Sequence, residues 1–336
     1  MNTLATSDYQ PVPPRVSTIG RIGLCFIGLP ILLWEMGAVW FDAPLGKGNL
    51  VIIALLLTIH GIFVWKIGSL LGLSAAWAGI FCSILALWLT QRPRSDRDWQ
   101  TDVSKTAWAE VNGSMVTLHH VRNFDYRTPN DFTERWETRT VDLDKITGFD
   151  IAICYWGSPW MAHPILSFQF SGSSPICFSI ETRKEVGESY SALGGLYRQF
   201  ELIYIVADER DVIRLRTSVR KGEDVFLYHT NATAVQARER FMEYIQGLNE
   251  LHASPAWYNA ITTNCTTTIR TQRPKDKRMS WDWRFLLNGK ADEALYERGV
   301  FDFKGLDFET LRKRSQINEK AKAATHVDMF SEVIRR

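Results

Sequence analysis

A long apolar segment at residues 20–90, almost free of charge, constrains this chain more than any other feature. It divides into three candidate spans at about residues 22–41, 50–66 and 70–90. Each is close to the ~20 residues that a helix needs to cross a hydrocarbon core of ~30 Å. Tryptophans lie near the span ends, as interfacial aromatics do, at Trp34, Trp40, Trp65 and Trp88. The segment therefore predicts three transmembrane helices. The first span is not typical of a signal peptide, since two more spans follow it.

The rest of the chain divides by composition. Residues 1–19 are polar and proline-rich and predict a disordered tail. Residues 92–107 predict a charged linker, 108–275 a soluble domain, and 276–336 a helical extension. Three spans put the two ends of the chain on opposite sides of the membrane. The positive charges flanking the spans do not decide which side is which.

Charge and cysteine spacing exclude several classes of protein. The net charge is +2, and no basic stripe with interleaved aromatics predicts a nucleic-acid partner. The five cysteines form no C-x-x-C pair, so neither a zinc site nor a disulfide framework is indicated. Within the spans, Glu35 and His60 are expensive to expose to lipid, so we expect them to face the helix bundle. A position near a kinked span end after Pro30 is an alternative for Glu35.

The soluble region alternates between apolar and polar residues in a way that predicts an α+β domain. Helices are expected at 189–199 and 232–252. Strands are expected at 111–123, 133–143, 149–156, 165–170, 176–180, 202–207, 212–215 and 225–229. The runs at 165–170 and 176–180 predict an antiparallel hairpin, and residues 157–164 a loop that leads into it.

Cys265 is the strongest candidate for chemistry. The Thr and Asn residues before it predict a helix start with Asn264 or Thr263 as the N-cap. The positive end of a helix dipole and its unpaired N–H groups favour a thiolate and can hold an oxyanion. The alternative interpretation is a small buried cysteine in the core.

Cysteine acyl chemistry also needs a base and a polar group that orients the base. His163 precedes one predicted hairpin strand and Glu181 ends the other, so they are the candidates for these roles. Glu181 also begins a charged run, which is typical of a solvated strand end. For His119 and His120 we expect a place at a strand edge.

Several residues near these positions are candidates for substrate binding. The aromatic side chains among them are suited to wall an acyl or peptide groove, although core or membrane-contact positions are equally consistent with the pattern. The candidates are Tyr155, Trp156, Ser158, Trp160 and Asn264.

Five ordered blocks of sequence resemble the Lnb-type periplasmic domain family. They are HHVRNF at 119–124, YWGSP at 155–159 followed by His163, SIETRKE at 179–185, ADERDV at 207–212, and WYN through NCTT at 257–267. The resemblance spans about residues 108–275. It implies a permuted papain-like fold with an antiparallel sheet and a Cys-bearing helix, similar to NlpC and lecithin:retinol acyltransferase proteins, in which the His strand precedes the Cys helix.

The resemblance also implies a function and a location. It implies a Cys–His acyltransferase that takes an acyl chain from a phospholipid and transfers it to the N-terminal amine of a bacterial lipoprotein. It implies a catalytic domain on the periplasmic side of the inner membrane, with no cofactor or metal. The alternatives are a membrane-tethered cysteine peptidase or amidase, a phospholipase using the same residues, and a non-enzymatic membrane-anchored binding module.

Overall fold

The computed structural model describes residues 17–287, 289–324 and 329–336, and the chain divides into two units. The first unit holds the chain up to Arg92 together with Tyr197–Gln199, and the second holds Pro93–Leu196 and Phe200–Arg336. Residues 1–16, which make up most of the predicted disordered tail, lie outside the described residues. The remaining tail residues already begin the first helix, whose N-cap is Ser17.

The first unit contains three apolar helices in its described part. They are α1 (Thr18–Asp42), α2 (Asn49–Lys66) and α3 (Leu70–Thr90). Each is long and apolar enough to cross a membrane, as the sequence predicts. The hydroxyls of Ser17 and Ser69 accept hydrogen bonds from backbone N–H groups in the first turns of α1 and α3 and so stabilise both helix starts.

Glu35 and His60 meet inside this unit. Both are buried, and Glu35 Oε2 lies 3.4 Å from His60 Nε2. The other ring nitrogen of His60 lies 2.9 Å from the Leu56 carbonyl oxygen, one turn back in α2. The ring of Trp77 packs edge-on against the imidazole. Both polar side chains therefore face the bundle interior, as expected from the cost of exposing them to lipid.

The second unit is built on a β-sheet. Its strands are β1 (Trp108–Asn112), β2 (Met115–Arg122), β3 (Asp125–Thr128), β4 (Asp131–Thr133), β5 (Trp136–Asp142), β6 (Ile146–Trp156), β7 (Ser158–Phe170), β8 (Ser173–Arg183), β9 (Glu201–Ala207) and β10 (Glu223–His229). Seven of the described strands follow the order β1-β2-β9-β8-β7-β6-β10, and β5 also pairs with β2. Strands β3 and β4 form a separate small hairpin.

The sheet is mixed, whereas the sequence predicted an antiparallel one. Consecutive strands are antiparallel, but β2 runs parallel to β9 where Arg122 pairs with Ala207. Hairpins are signalled by the turn residues between their strands. The β2–β9 pair joins segments far apart in the chain, so no local turn predicts it.

The predicted loop at 157–164 is instead the first part of β7. Gly157, in the left-handed backbone region at a φ of 64°, turns the chain directly from β6 into β7. Pro164 lies within β7 opposite Ile153. It is tolerated there because the pairing of β7 with β8 begins only at Ile165, so one side of Pro164 has no ladder to interrupt.

Helices cover both faces of the sheet. They are α4 (Glu209–Arg214), α5 (Ala234–Ala253), α6 (Cys265–Thr271), α7 (Arg284–Leu287), α8 (Ala291–Glu297), α9 (Phe308–Ser315), α10 (Asn318–Ala323) and α11 (Phe330–Val333). On one face, Phe241 of α5 packs against Phe168 and Phe178 of the sheet. On the other face, α4, α10 and α11 bury Val212 and Phe330 in a second core. The fold is α+β, as predicted.

Two short predicted elements are wrong. Residues 189–199 hold a single 3₁₀ turn at Gly194–Leu196 and no α-helix, since two adjacent glycines disfavour a longer one. Residues 212–215 are not a strand. Most of them lie in α4, whose N-cap Asp208 accepts a hydrogen bond from the backbone N–H of Arg210, and Leu215 begins a π-helical turn.

The structure has no boundary at residue 275. Phe301 and Leu311, from the predicted extension, belong to the core that contains α5, and Ile317 and Phe330 belong to the core on the opposite face. The predicted linker at 92–107 also packs on the domain, where Val103 is buried. Buried apolar residues of both segments thus pack on the sheet together with the helices of the domain.

Candidate active site

Cys265 is the first residue of α6. The Asn264 side chain accepts hydrogen bonds from the backbone N–H groups of Thr266 at 3.0 Å and Thr267 at 2.8 Å. In return, the Thr267 hydroxyl oxygen accepts from the Asn264 backbone N–H at 2.9 Å. This capping box fixes the start of the helix, as the sequence predicts. Cys265 is thereby held in a buried position.

The thiol of Cys265 lies beside the imidazole of His163, and both side chains line the same cavity. The pairing of β7 with β8 stops at Ile165 and Ser179, and His163 and Glu181 lie two residues further along their strands. No backbone pairing joins the two strands beyond that point, and the side chains of His163 and Glu181 meet there instead. His163 Nε2 lies 3.3 Å from Glu181 Oε1.

Ser179 bridges His163 and Glu181. Its hydroxyl lies 2.6 Å from His163 Nε2 and donates a hydrogen bond of 2.7 Å to Glu181 Oε1. Since the hydroxyl proton is used toward Glu181, the oxygen accepts from an Nε2–H on the imidazole. Ser179 was not among the site residues predicted from the sequence. Its signal is the two-residue spacing from Glu181, which places both side chains on one face of β8.

Arg216 forms an ion pair with the Glu181 carboxylate, which is the last group in the series Cys265, His163, Ser179 and Glu181. It is buried in the π-helical turn Leu215–Val219 that follows α4. Its Nη2 lies 2.9 Å from Glu181 Oε1, and its Nη1 lies 3.2 Å from Glu223 Oε2. Sequence reasoning missed Arg216 because the preceding residues were predicted as a strand.

These contacts shift the protonation equilibria of the pair. Burial lowers the pKa of His163, but the nearby Glu181 carboxylate outweighs it and raises that pKa to about 9. Burial also acts to raise the pKa of Glu181, but the charges of His163 and Arg216 hold it well below its usual range. At neutral pH the imidazole is therefore protonated and the carboxyl is ionised.

The thiol and the imidazole open onto a cavity of about 360 Å³, within the usual size of a small-molecule site. Its walls include Trp156, His163, Glu181, Tyr190, Tyr258 and Cys265. Lys184 and Arg220 add positive charge to the lining. Lys184 forms no ion pair within the described chain. The cavity thus combines a thiol, a protonated imidazole and cationic side chains.

The structure brings only some of the predicted binding residues to this cavity. Trp156 lines it, whereas Tyr155 points to the other face of the sheet, where its ring packs against Phe226 and its hydroxyl lies 3.4 Å from Arg312. At the β6–β7 hairpin the Ser158 hydroxyl accepts a hydrogen bond from the Trp160 backbone N–H, and the Trp160 side chain is half exposed.

The Asn264 side chain caps helix α6 and does not line the cavity. Because its side chain takes up the N–H groups of Thr266 and Thr267, these two donors are not available to the oxyanion that the sequence analysis assigned to the helix start. The Asn264 amide nitrogen donates to the Ala260 carbonyl oxygen at 2.9 Å, which ties the helix to the preceding turn.

Other cysteines and histidines are accounted for elsewhere. Cys154 lies opposite His163 in the β6–β7 pairing, and burial raises the pKa of its thiol to about 12. Burial likewise raises the pKa of Cys177 well above its usual range. His119 stacks on Trp108 and His120 hydrogen-bonds to the Thr106 carbonyl oxygen, both at an irregularity in β2, which pairs with β1 and with β5 and is therefore not the expected strand edge. Within the described residues, no group of His, Cys, Asp or Glu is placed to hold a metal ion.

The site lies within a segment that matches a known family. Residues 132–285 match the Lnb N-terminal periplasmic domain family. That range contains His163, Ser179, Glu181, Arg216 and Cys265. No curated protein and no solved structure matches the chain. Together with the three apolar helices, the family match indicates a membrane protein with a periplasmic domain.

Proposed function

We propose that the protein is a papain-like cysteine acyltransferase of the bacterial inner membrane. The observation that carries this proposal is the continuous contact from Cys265 through His163 and Ser179 to Glu181 and Arg216. A protonated imidazole beside a thiol favours the thiolate, which is the form that attacks a carbonyl. The oriented carboxylate keeps the imidazole in one position and favours its charged form.

The first half-reaction forms a thioester. The Cys265 thiolate attacks the ester carbonyl of a phospholipid, and the carbonyl π electrons move to oxygen. The tetrahedral intermediate collapses, the bond to the glycerol oxygen breaks, and His163 donates a proton to that oxygen. The products are a lysophospholipid and acyl-Cys265. Since Ser179 and Glu181 occupy Nε2, the nitrogen that exchanges protons with substrate is Nδ1.

The second half-reaction returns the enzyme to its starting state. A free amine attacks the thioester carbonyl, an amide bond forms, and the carbon–sulfur bond breaks. His163, neutral after the first step, accepts the proton that the amine loses. Cys265 leaves as the thiolate beside the imidazolium. A thioester is activated toward an amine, so no further energy source is required.

The cavity and the membrane helices support a phospholipid as donor. Lys184 lines the cavity and forms no ion pair within the described chain, so it is available for a phosphate group. Three membrane helices hold the domain where phospholipids are concentrated, which raises their effective concentration at the site.

The resemblance of the sequence to Lnb-type domains is the reason for our choice of acceptor. We propose the N-terminal amine of the diacylglyceryl-cysteine of bacterial lipoproteins, an amine carried at the membrane surface. Water as the acceptor gives a phospholipase, and a peptide carbonyl as the first substrate gives a peptidase or amidase. These alternatives use the same residues and differ only in what enters the cavity.

The test is intact-mass analysis of the full chain after incubation with phospholipid in nanodiscs. We expect an acyl adduct that hydroxylamine removes, absent from Cys265→Ala and strongly reduced in His163→Ala. Cys82→Ala, which removes an exposed cysteine of α3, is the matched control and keeps the adduct.

Each outcome separates two interpretations. An adduct that transfers to a lipoprotein peptide amine supports the acyltransferase, and one that only hydrolyses indicates a phospholipase. No adduct, with Cys265 also inert to iodoacetamide, overturns the enzyme proposal in favour of a binding module.

A further inference from the structure

Four exposed apolar side chains lie on two loops of the second unit, and we call them the apolar rim. They are Tyr190, Leu193, Leu196 and Ile261, whose exposed fractions are 41, 65, 37 and 53%. Single exposed apolar residues are common on proteins, but a cluster on adjoining loops indicates a surface that meets an apolar partner.

Hydrogen bonds join the two loops into one surface. The Ala260 backbone N–H donates to the Gly195 carbonyl oxygen at 2.7 Å, and the Asn259 amide donates to the Leu196 carbonyl oxygen at 3.4 Å. Gly195 is close enough that an added Cβ would lie 3.3 Å from Ala260 Cβ. Leu193 and Leu196 are therefore held beside the turn that carries Ile261.

The apolar rim is continuous with the Cys265 cavity. Tyr190, a rim residue, also lines the cavity together with Tyr258. Tyr190 is held in place by stacking on Phe200, with ring centroids 6.1 Å apart. The turn that carries Ile261 is bonded through Ala260 to Asn264, the residue before the nucleophile. An acyl chain that crosses the rim therefore meets Tyr190 and then the cavity.

The chain itself indicates what covers the rim. Leu196 is followed directly by Tyr197–Gln199, which belong to the unit of membrane helices. Within that unit the Tyr197 ring stacks on Phe41 near the end of α1, with centroids 5.2 Å apart. In the sequence, the rim residue Leu196 is therefore adjacent to a segment that packs with helices able to cross a membrane.

We propose that the apolar rim enters the lipid surface and guides a phospholipid acyl chain from the bilayer to Cys265. This inference rests on the proposed acyltransferase function for its last step only. The rim's contact with lipid does not require the thiol. Leucine and isoleucine are side chains that favour the acyl region of a bilayer, and Tyr190 is suited to its polar boundary.

The test uses the full chain in nanodiscs of phosphatidylethanolamine and phosphatidylglycerol that contain a phospholipid with a diazirine in its acyl chain. After irradiation, peptide mapping is expected to find crosslinks at the rim residues. Cys265→Ala should crosslink as strongly as wild type, because lipid contact precedes the chemistry. Val235, which is 68% exposed at the start of α5, is the matched apolar control and should not crosslink.

A double substitution in the rim tests its effect on the rate of acylation. We expect Leu193→Ser/Ile261→Ser to lower the rate of Cys265 acylation from nanodisc phospholipid about tenfold, which corresponds to about 1.4 kcal/mol. Acylation by a water-soluble short-chain thioester should not change, and Val235→Ser should behave as wild type in both assays.

The two proposals fail in different ways. Crosslinks at the rim without any acyl adduct would support the contact of the rim with lipid and would reject the proposed acyltransferase activity. Normal acylation with no crosslinks at the rim, and no effect of the double substitution, would reject the rim as the route of the acyl chain.

Discussion

His163 and Glu181 occupy the positions that would form the next cross-strand pair of β7 and β8, but their side chains meet instead of their backbones. The ladder ends at Ile165 and Ser179, and His163 Nε2 approaches Glu181 Oε1 to 3.3 Å. The opened strand pair gives the imidazole a fixed partner on one side. It leaves the other side for the Cys265 thiol.

Glu181→Gln should preserve the hydrogen-bonding shape of this pair and remove its charge. Without the carboxylate, burial lowers the pKa of His163, so the imidazole becomes neutral near pH 7. We expect acylation of Cys265 to fall about a hundredfold. The alkaline limb of the pH profile of iodoacetamide alkylation, set near pH 9 in wild type, should move to lower pH. An unchanged profile would show that Glu181 does not control the imidazole.

The same pair predicts a pH dependence of stability. The folded-state pKa of His163 is about 9, above its ordinary value of 6.5. Its stabilising contribution is therefore full below about pH 6.5 and is lost as the pH rises through 9. At about 1.4 kcal/mol per pKa unit, it amounts to at most about 3.5 kcal/mol. Across that window, the Tm of wild type in detergent should fall more steeply than that of Glu181→Gln. Parallel curves would contradict the assignment.

Arg216→Ala should be destabilising because it leaves Glu181 and Glu223 without their shared cation. Removing one partner of a buried ion pair costs about 3–5 kcal/mol. Arg216→Lys keeps the charge but not the forked geometry that serves both carboxylates, so an intermediate loss is expected. Thermal unfolding of both variants beside wild type checks the order. A Lys variant as stable as wild type would mean that charge alone suffices.

Asn264→Ala should disturb both the α6 helix and the position of Cys265. Loss of the cap is expected to lower the free energy of unfolding by about 1 kcal/mol. The rate of Cys265 acylation should fall by more than this loss of stability explains. Asp307→Ala is the matched control, because Asp307 caps α9 through the Thr310 N–H at 2.9 Å, outside the cavity lining. It should lose similar stability and keep full acylation. Equal acylation by both variants would argue against a positioning role for Asn264.

Glu35 and His60 should be energetically coupled in the membrane helices. His60→Leu leaves a buried carboxylate without its nearby imidazole, so this variant should be less stable than wild type. Adding Glu35→Leu should recover much of the loss, since two apolar residues then replace the pair. A double-mutant cycle of thermal stability measures this coupling, and additive effects would contradict it.

The sequence predicted those parts of the protein whose signals are local. Composition alone predicts the three membrane helices, and residue pattern predicts the Cys265 helix, its Asn264 cap and the β7–β8 hairpin. His163 and Glu181 were predicted as partners of Cys265 from chemistry and strand position. Their contacts depend on a hairpin, which local pattern describes well.

Features that depend on distant packing were missed. Arg216 reaches Glu181 only because residues 209–219 coil into α4 and a π-helical turn, whereas their apolar residues suggested a strand. Tyr155 and Trp156 were grouped because they are neighbours in sequence, yet a strand separates them onto two faces. Likewise, the burial of residues 276–336 follows from the space left on the sheet, which the segment's own pattern does not describe.

The position of Cys154 bears on chemical selectivity. Cys154 pairs with His163 across β6 and β7, but burial raises the pKa of its thiol to about 12 and keeps it protonated. An electrophile that reaches His163 therefore encounters one competent sulfur. Loading should stop at a single acyl group per chain, because Cys154 stays a buried, protonated thiol whereas Cys265 lies beside the protonated imidazole and lines the cavity.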